Sequence, residues 1–251
     1  MRGLAPLIKK EIAGQLRTYK LVIVGGIFLF FGISTPFLLK YMPEILKLAG
    51  EGMIIEFPPP TAVQSLAEFA STIGQVGLLL AVLMAMGSIS SEMKSGTAVM
   101  TLSKPVSRAA FVNSKMIALS LNFVLSLLVA SIASFAYTIW LIEGAEPTGY
   151  IGSNLLLALF LIFCLALTLL CSSLFRSSLA AGGVSIAILI AQAGLSAVPV
   201  IGDWMPGKLL GWGINLISGN PDSYWGALAV ALALTVLSLY LAQKILSDKD
   251  L

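Results

Sequence analysis

The chain has 251 residues, 58% of them hydrophobic and only 11% charged, with 15 Lys and Arg against 12 Asp and Glu and no histidine. A mean hydropathy of +0.97 leaves too little polar surface to cover a water-soluble globule, so the composition points to an integral membrane protein. The missing histidine removes imidazole as general base, zinc ligand or triad member.

Residues 1–20 come first. Leu4, Leu7, Ile8, Ile12, Leu16 and Tyr19 recur at spacings of three and four, with Lys10 and Arg17 opposite. This pattern predicts an amphipathic helix lying in the membrane interface. Six long apolar runs follow, predicted as transmembrane helices over 21–39, 71–91, 110–142, 154–175, 179–201 and 225–246. Each reaches or nearly reaches the roughly 20 residues that a bilayer core demands, and the third exceeds it. The runs are continuous, whereas barrel strands alternate apolar and polar residues, so the expected fold is an all-α membrane protein with a single transmembrane domain over 1–251.

Between the first two spans, 40–70 carries Glu44, Glu51, Glu56, Glu68 and the run Pro58, Pro59, Pro60, which predicts an extended outer loop. Span two ends polar at Ser90, Ser91, Glu92 and Lys94, and Gly96 suits the left-handed residue that stops a helix. Thr97 is placed to cap a short helix over Ala98–Leu102, Pro105 forces Lys104 to be extended, and Ser107 is a good N-cap for span three. Continued back to Ala109, span three is roughly 50 Å long at 1.5 Å per residue.

Cys164 and Cys171 share one face of span four and read as packing thiols. Gly183, Ala187 and Ala191 form a small-residue stripe on span five that allows close helix approach. The segment 202–224 holds Trp204 and Trp212 at interfacial depth, with Trp225 at its end, and its LLGWGINLI core is apolar enough to re-enter the membrane without crossing. Within it, Gly202–Leu209 reads GDWMPGKL, a phosphate-loop pattern that fails at its last position, where Leu209 replaces the Ser or Thr needed for magnesium.

Six spans put both termini on one side. An inside N-terminus places Arg2, Lys9, Lys10, Arg17, Lys20, Lys94, Lys104, Arg108, Lys115, Arg176, Lys244 and Lys249 in the cytoplasm and leaves Lys40, Lys47 and Lys208 outside. The positive-inside rule therefore orients both termini and the 92–109 loop to the cytoplasm, beside anionic lipid headgroups. The net charge of +3 follows from this topology and implies no nucleic-acid partner.

The uncharged cores of the spans hold no carboxylate for an intramembrane protease and no ionisable relay for a proton or ion pump. The polar candidates at membrane depth are Gln75, Asn122 and Gln192, readable either as interhelical hydrogen-bonding residues or as contacts along a translocation path. No catalytic residue, metal site or cofactor is expected in the chain.

The run E-M-K-S-G-T-A-V-M-T-L-S-K-P-V-S-R from Glu92 to Arg108, followed by F-V-N-S-K from Phe111 to Lys115, closely resembles the cytoplasmic loop of type-2 ATP-binding-cassette (ABC) transporter permeases. The resemblance implies a permease, an exporter subunit of the cell membrane, that pairs with a second copy and binds two cytosolic ATPase subunits, which hold the ATP and magnesium. The implied coupling segment contains Glu92, Gly96, Thr97, Met100, Leu102, Lys104, Pro105 and Arg108. Met100 and Leu102 would fill an ATPase groove, Lys104 would meet its acidic rim, and Glu92 would pair with Arg108. From the residues alone, a self-contained carrier or channel and a membrane scaffold that recruits a cytosolic protein stay open.

Overall fold

The computed structural model describes residues 3–49, 59–97 and 106–248. Among them there is no strand. The helices are α1 Leu4–Arg17, α2 Lys20–Ala49, α3 Ala62–Ala85, α4 Ser90–Lys94, α5 Arg108–Ile142, α6 Pro147–Leu174, α7 Ser178–Leu195, α8 Lys208–Ile217 and α9 Trp225–Asp248, with a 3₁₀ turn at Gly202–Trp204 before α8. Six helical stretches are long and apolar enough to cross a membrane: α2, α3 with α4, α5, α6, α7 and α9.

Helix α6 is the axis of the bundle. Some 67% of its most apolar stretch is buried, against 28% for α2, α7 and α9, which leave broad apolar faces outward. Its inward residues include Leu157, Phe160, Leu161, Cys164, Leu165 and Leu169. With lipid outside and apolar side chains inside there is little hydrophobic drive to pack, so close approach falls to small residues. A Cβ on Gly32 of α2 would stand 2.7 Å from the Ala130 carbonyl oxygen of α5, and one on Gly149 of α6 would run into the Leu216 carbonyl of α8.

The first and last described residues lie at the end of the bundle where α4 stops and α5 starts. There Gly3 abuts Val106, and Arg108 hydrogen-bonds the carbonyls of Leu246 and Ser247. At the opposite end α8 packs its Leu209, Trp212 and Gly213 inward, with Leu210 against Gly74 of α3 and Gly213 against Ser153 of α6. Trp212 and Trp225 meet edge to face at 5.1 Å. Helix α8 is covered by protein along one face, the condition under which a non-spanning apolar helix is tolerated near a bilayer.

Several boundaries differ from the sequence expectation. Helix α2 runs on through Pro36 and Pro43 to Ala49, and α3 starts at Ala62 instead of 71. Its start is fixed by a capping box in which Thr61 and Gln64 exchange side-chain and backbone hydrogen bonds of 3.2 Å. Glu68 therefore lies inside a helix and not in a loop. Helix α7 ends at Leu195, short of 201, and turns follow on either side of Pro199. The run 98–105, which holds the expected short helix with Met100, Leu102, Lys104 and Pro105, lies outside the described residues.

Gly32→Val is expected to lower stability by about 1–3 kcal/mol, because the added methyl groups must push α2 from the α5 backbone. Gly26→Ala in the same helix, where a Cβ meets nothing within 4 Å, is expected to be neutral or slightly stabilising. Thermal unfolding of the two detergent-solubilised variants checks the contrast.

Candidate functional site

The loop is held at both limbs. On the return limb, Ser107 caps α5, its hydroxyl accepting from the Ala110 N–H at 3.1 Å, and α5 then runs unbroken for 35 residues. On the outgoing limb, α4 ends at Lys94 and Gly96 takes φ 73, the left-handed conformation that a side chain disfavours. The Thr97 hydroxyl lies 2.9 Å from that of Ser95. These local signals were legible in the sequence.

The principal electrostatic feature was not. Lys115, only 2% exposed and two turns into α5, donates to Glu92 of α4 at 2.6 Å and to Glu11 of α1 at 3.0 Å. Its ammonium also stands 4.9 Å from the centre of the Phe111 ring. One buried cation thus ties three helices, and its two carboxylates, 19% and 23% exposed, retain some contact with solvent. The second oxygen of Glu92 is buried with no hydrogen-bond partner among the described residues. A second tie lies one to two turns further along. Asn122 of α5 donates to Gln15 of α1 at 2.8 Å, and Ser126 donates to the Asn122 side-chain oxygen at 3.3 Å.

These ties reverse one expectation about α1. Its inward line is Leu4, Leu7, Ile8, Glu11 and Gln15, while Leu16 and Tyr19, expected on the apolar face, are 52% and 68% exposed. Glu11 and Gln15 turn inward because α5 offers each a partner, and burying a polar group is tolerated when it is hydrogen-bonded. The expected Glu92–Arg108 pair is likewise replaced. Glu92 meets Lys115, and Arg108 turns to the C-terminal carbonyls of α9, where a cation suits the helix dipole. Gln243 of α9 adds a hydrogen bond of 2.9 Å to Asn113.

The outgoing limb has its own anchor. Between α3 and α4 the helix breaks at 86–89, and Ser172 of α6 fills the gap. Its hydroxyl accepts from the N–H groups of Ile89 and Ser90, both at 3.1 Å, and donates to the Met86 carbonyl at 2.8 Å. Ser90 also meets the Ser178 hydroxyl of α7 at 3.0 Å. Backbone groups freed by the break are thereby satisfied inside an apolar bundle.

The three amides singled out in the spans are not brought together. Asn122 lies in the α1–α5 seam, and Gln192 is buried beside Ser196 and Gly207. Gln75 is exposed on α3 and bonds only Ser71 of its own helix. The GDWMPGKL segment forms no phosphate cradle. Its Lys208 lies 3.5 Å from Asp203 and 5.3 Å from the centre of the Tyr224 ring, and its residues are a 3₁₀ turn and a helix start.

Two comparisons bear on this arrangement. Residues 5–212 match the family described as ABC-2 family transporter protein. The chain is also 27% identical over 213 residues to the uncharacterized transmembrane protein YxlG of Bacillus subtilis (strain 168), a match covering 83% of each chain.

Lys115→Met is expected to destabilise the protein by about 3–5 kcal/mol, since it leaves two partly buried carboxylates facing each other without a cation. Trypsin cleavage after Lys9 and Lys10 should rise in this variant well below its unfolding temperature if the ion pair holds α1 in place; unchanged cleavage would show that it does not. Ser172→Ala is expected to cost about 1–3 kcal/mol by orphaning two N–H groups. Faster amide exchange at Ile89 and Ser90 is the local readout.

Proposed function

The chain belongs to the ABC-2 transporter protein family, and from that premise we propose that it is an export permease driven from its 92–109 loop. As a family member it is the membrane-spanning permease subunit of an ABC transporter and works with ABC ATPase subunits. Two such ATPases, carrying ATP and magnesium, dock on the loop of a permease homodimer. Both termini and the loop face the cytoplasm of a cell membrane, an orientation supported by the basic residues at the loop end, among them Lys9, Lys10, Arg17, Lys94, Arg108, Arg176 and Lys244.

The observation that carries this reading is the fastening of the loop. Its outgoing limb is tied through Glu92 to Lys115 and through the helix break to Ser172; its return limb is tied through Arg108 to α9. A force applied between Glu92 and Arg108 therefore reaches α1, α5, α6 and α9 directly. A solvated connecting loop has no need of such attachments. Met100 and Leu102 fill the ATPase groove and Lys104 meets its acidic rim, while Glu92, Gly96, Thr97, Pro105 and Arg108 hold the loop's shape.

Co-expression with the partner ATPase tests the docking. Leu102→Glu is expected to reduce capture of the ATPase about tenfold or more, the effect of burying a charge in an interface core, and Lys104→Glu to reduce it less. Lys40→Glu, at the opposite end, should capture it normally. Equal capture by all three variants would place docking elsewhere.

A further inference from the structure

Moving the start of α3 back to Ala62 changes the standing of one helix face. Gln64, Glu68, Ser71 and Gln75 follow one another at spacings of four, three and four, and so share a face of α3. Gln64, Glu68 and Gln75 are exposed, and Ser71 is partly so. Further along the same face come Leu79 and Leu83, also exposed, at 51% and 56%. The outer half of this track is polar and its inner half apolar. A carboxylate and exposed amides on a span are costly against acyl chains, and such groups normally face protein or water-filled space.

Beside the polar half is a groove of about 500 Å³ between α2, α3 and α8. This is within the range of small-molecule sites, roughly 300–1,000 Å³. Leu39, Met42 and Pro43 of α2 and Ile214 of α8 form apolar walls, and Glu68 and Ser71 supply polar groups. Glu68 is the one charged residue among the described residues of this lining, and it has no ion-pair partner among the described residues. Apolar walls around a single uncompensated carboxylate complement an amphiphile whose head is a cation.

We propose that this groove is a binding site for an amphiphilic cation on its way through the permease, with Glu68 pairing the cationic head and Leu39, Met42 and Ile214 receiving the apolar body. The assignment rests on the permease reading above and adds to it the charge class of the cargo. Glu68 acts as a binding residue and takes part in no bond-making step. The face is kept for a ligand, and neither a second copy of the chain nor lipid covers it.

The test uses the full chain in a non-ionic detergent and two probes of matched size and opposite charge, tetraphenylphosphonium and tetraphenylborate, measured by equilibrium dialysis. Wild type is expected to bind tetraphenylphosphonium saturably and tetraphenylborate not at all. Glu68→Gln should weaken the phosphonium about tenfold, and Glu68→Asp should retain most of the affinity. Equal binding of the two ions, or unchanged affinity in Glu68→Gln, would overturn the assignment. So would efficient bis-maleimide cross-linking of Glu68→Cys between two copies that the phosphonium does not slow. Capture of the ATPase is read separately: Glu68→Gln should capture it as wild type does, and failure of capture in wild type would sink the permease reading while leaving the ion measurements to stand alone.

Discussion

One buried ammonium organises the loop end of this protein. Lys115 has almost no access to solvent, so its charge is tolerable only because carboxylates from two other helices reach it. Neither carboxylate is supplied by a neighbour in sequence: Glu11 belongs to the helix before the first span and Glu92 to the end of the second. The position of α1 along α5, and of α4 beside both, is therefore set by a single side chain that cannot be left unpaired. A pair of this kind adds less net stability than an apolar contact of equal size, but it penalises every alternative register, because any slip leaves a charge in the bundle without its partner.

Among the described residues the buried ion pairs are confined to one end of the bundle, and close glycine packing against α8 to the other. At the loop end the ties are polar and directional: the Lys115 cluster, Asn122 with Gln15, Ser172 in the helix break, and Arg108 at the end of α9. At the opposite end hydrogen bonds between Ser65 and Thr138 and from Ser131 to Asn154 join α3, α5 and α6, and α8 is seated by shape, with Gly74, Gly149 and Gly213 admitting it and the tryptophans packing edge to face. Directional bonds transmit displacement, because stretching one costs free energy at once. Packing of small residues permits sliding over a short range. A push delivered at the loop would therefore move α1, α4 and α5 together, while α8 has room to adjust.

The sequence was informative where a constraint is local. Six spans were visible because a bilayer demands continuous apolar runs, and Ser107 and Gly96 were placed correctly because caps are decided within a few residues. What escaped was decided by partners far away in the chain. Glu11 and Gln15 stand outside the apolar pattern read in residues 1–20, although they continue the Leu7 line at steps of four, and Lys115 looked like one more inside-positive charge 104 residues from Glu11. The late start assigned to span two had a readable remedy, since Thr61-x-x-Gln64 is a capping box. Glu68 outweighed it, because a carboxylate in a predicted span is usually taken as a sign that the span has ended.

That misreading shows what Glu68 does to the helix that carries it. Were α3 to begin at 71, the carboxylate would be an ordinary loop charge and the groove beside it a gap between loops. With the helix fixed at Thr61, Glu68 is held in a rigid frame about two turns from the cap, at the level of Leu39 to Pro43 of α2 and Ile214 of α8. A carboxylate whose backbone is already helical has only its side chain to order on meeting a cation, whereas one on a loop must order its backbone as well. The polar ties at the loop end and Glu68 at the other are thus joined by one helix, since α3 runs from the Thr61 cap to the break that Ser172 holds. A displacement of α4 has a continuous path along α3 to the face on which Glu68 stands.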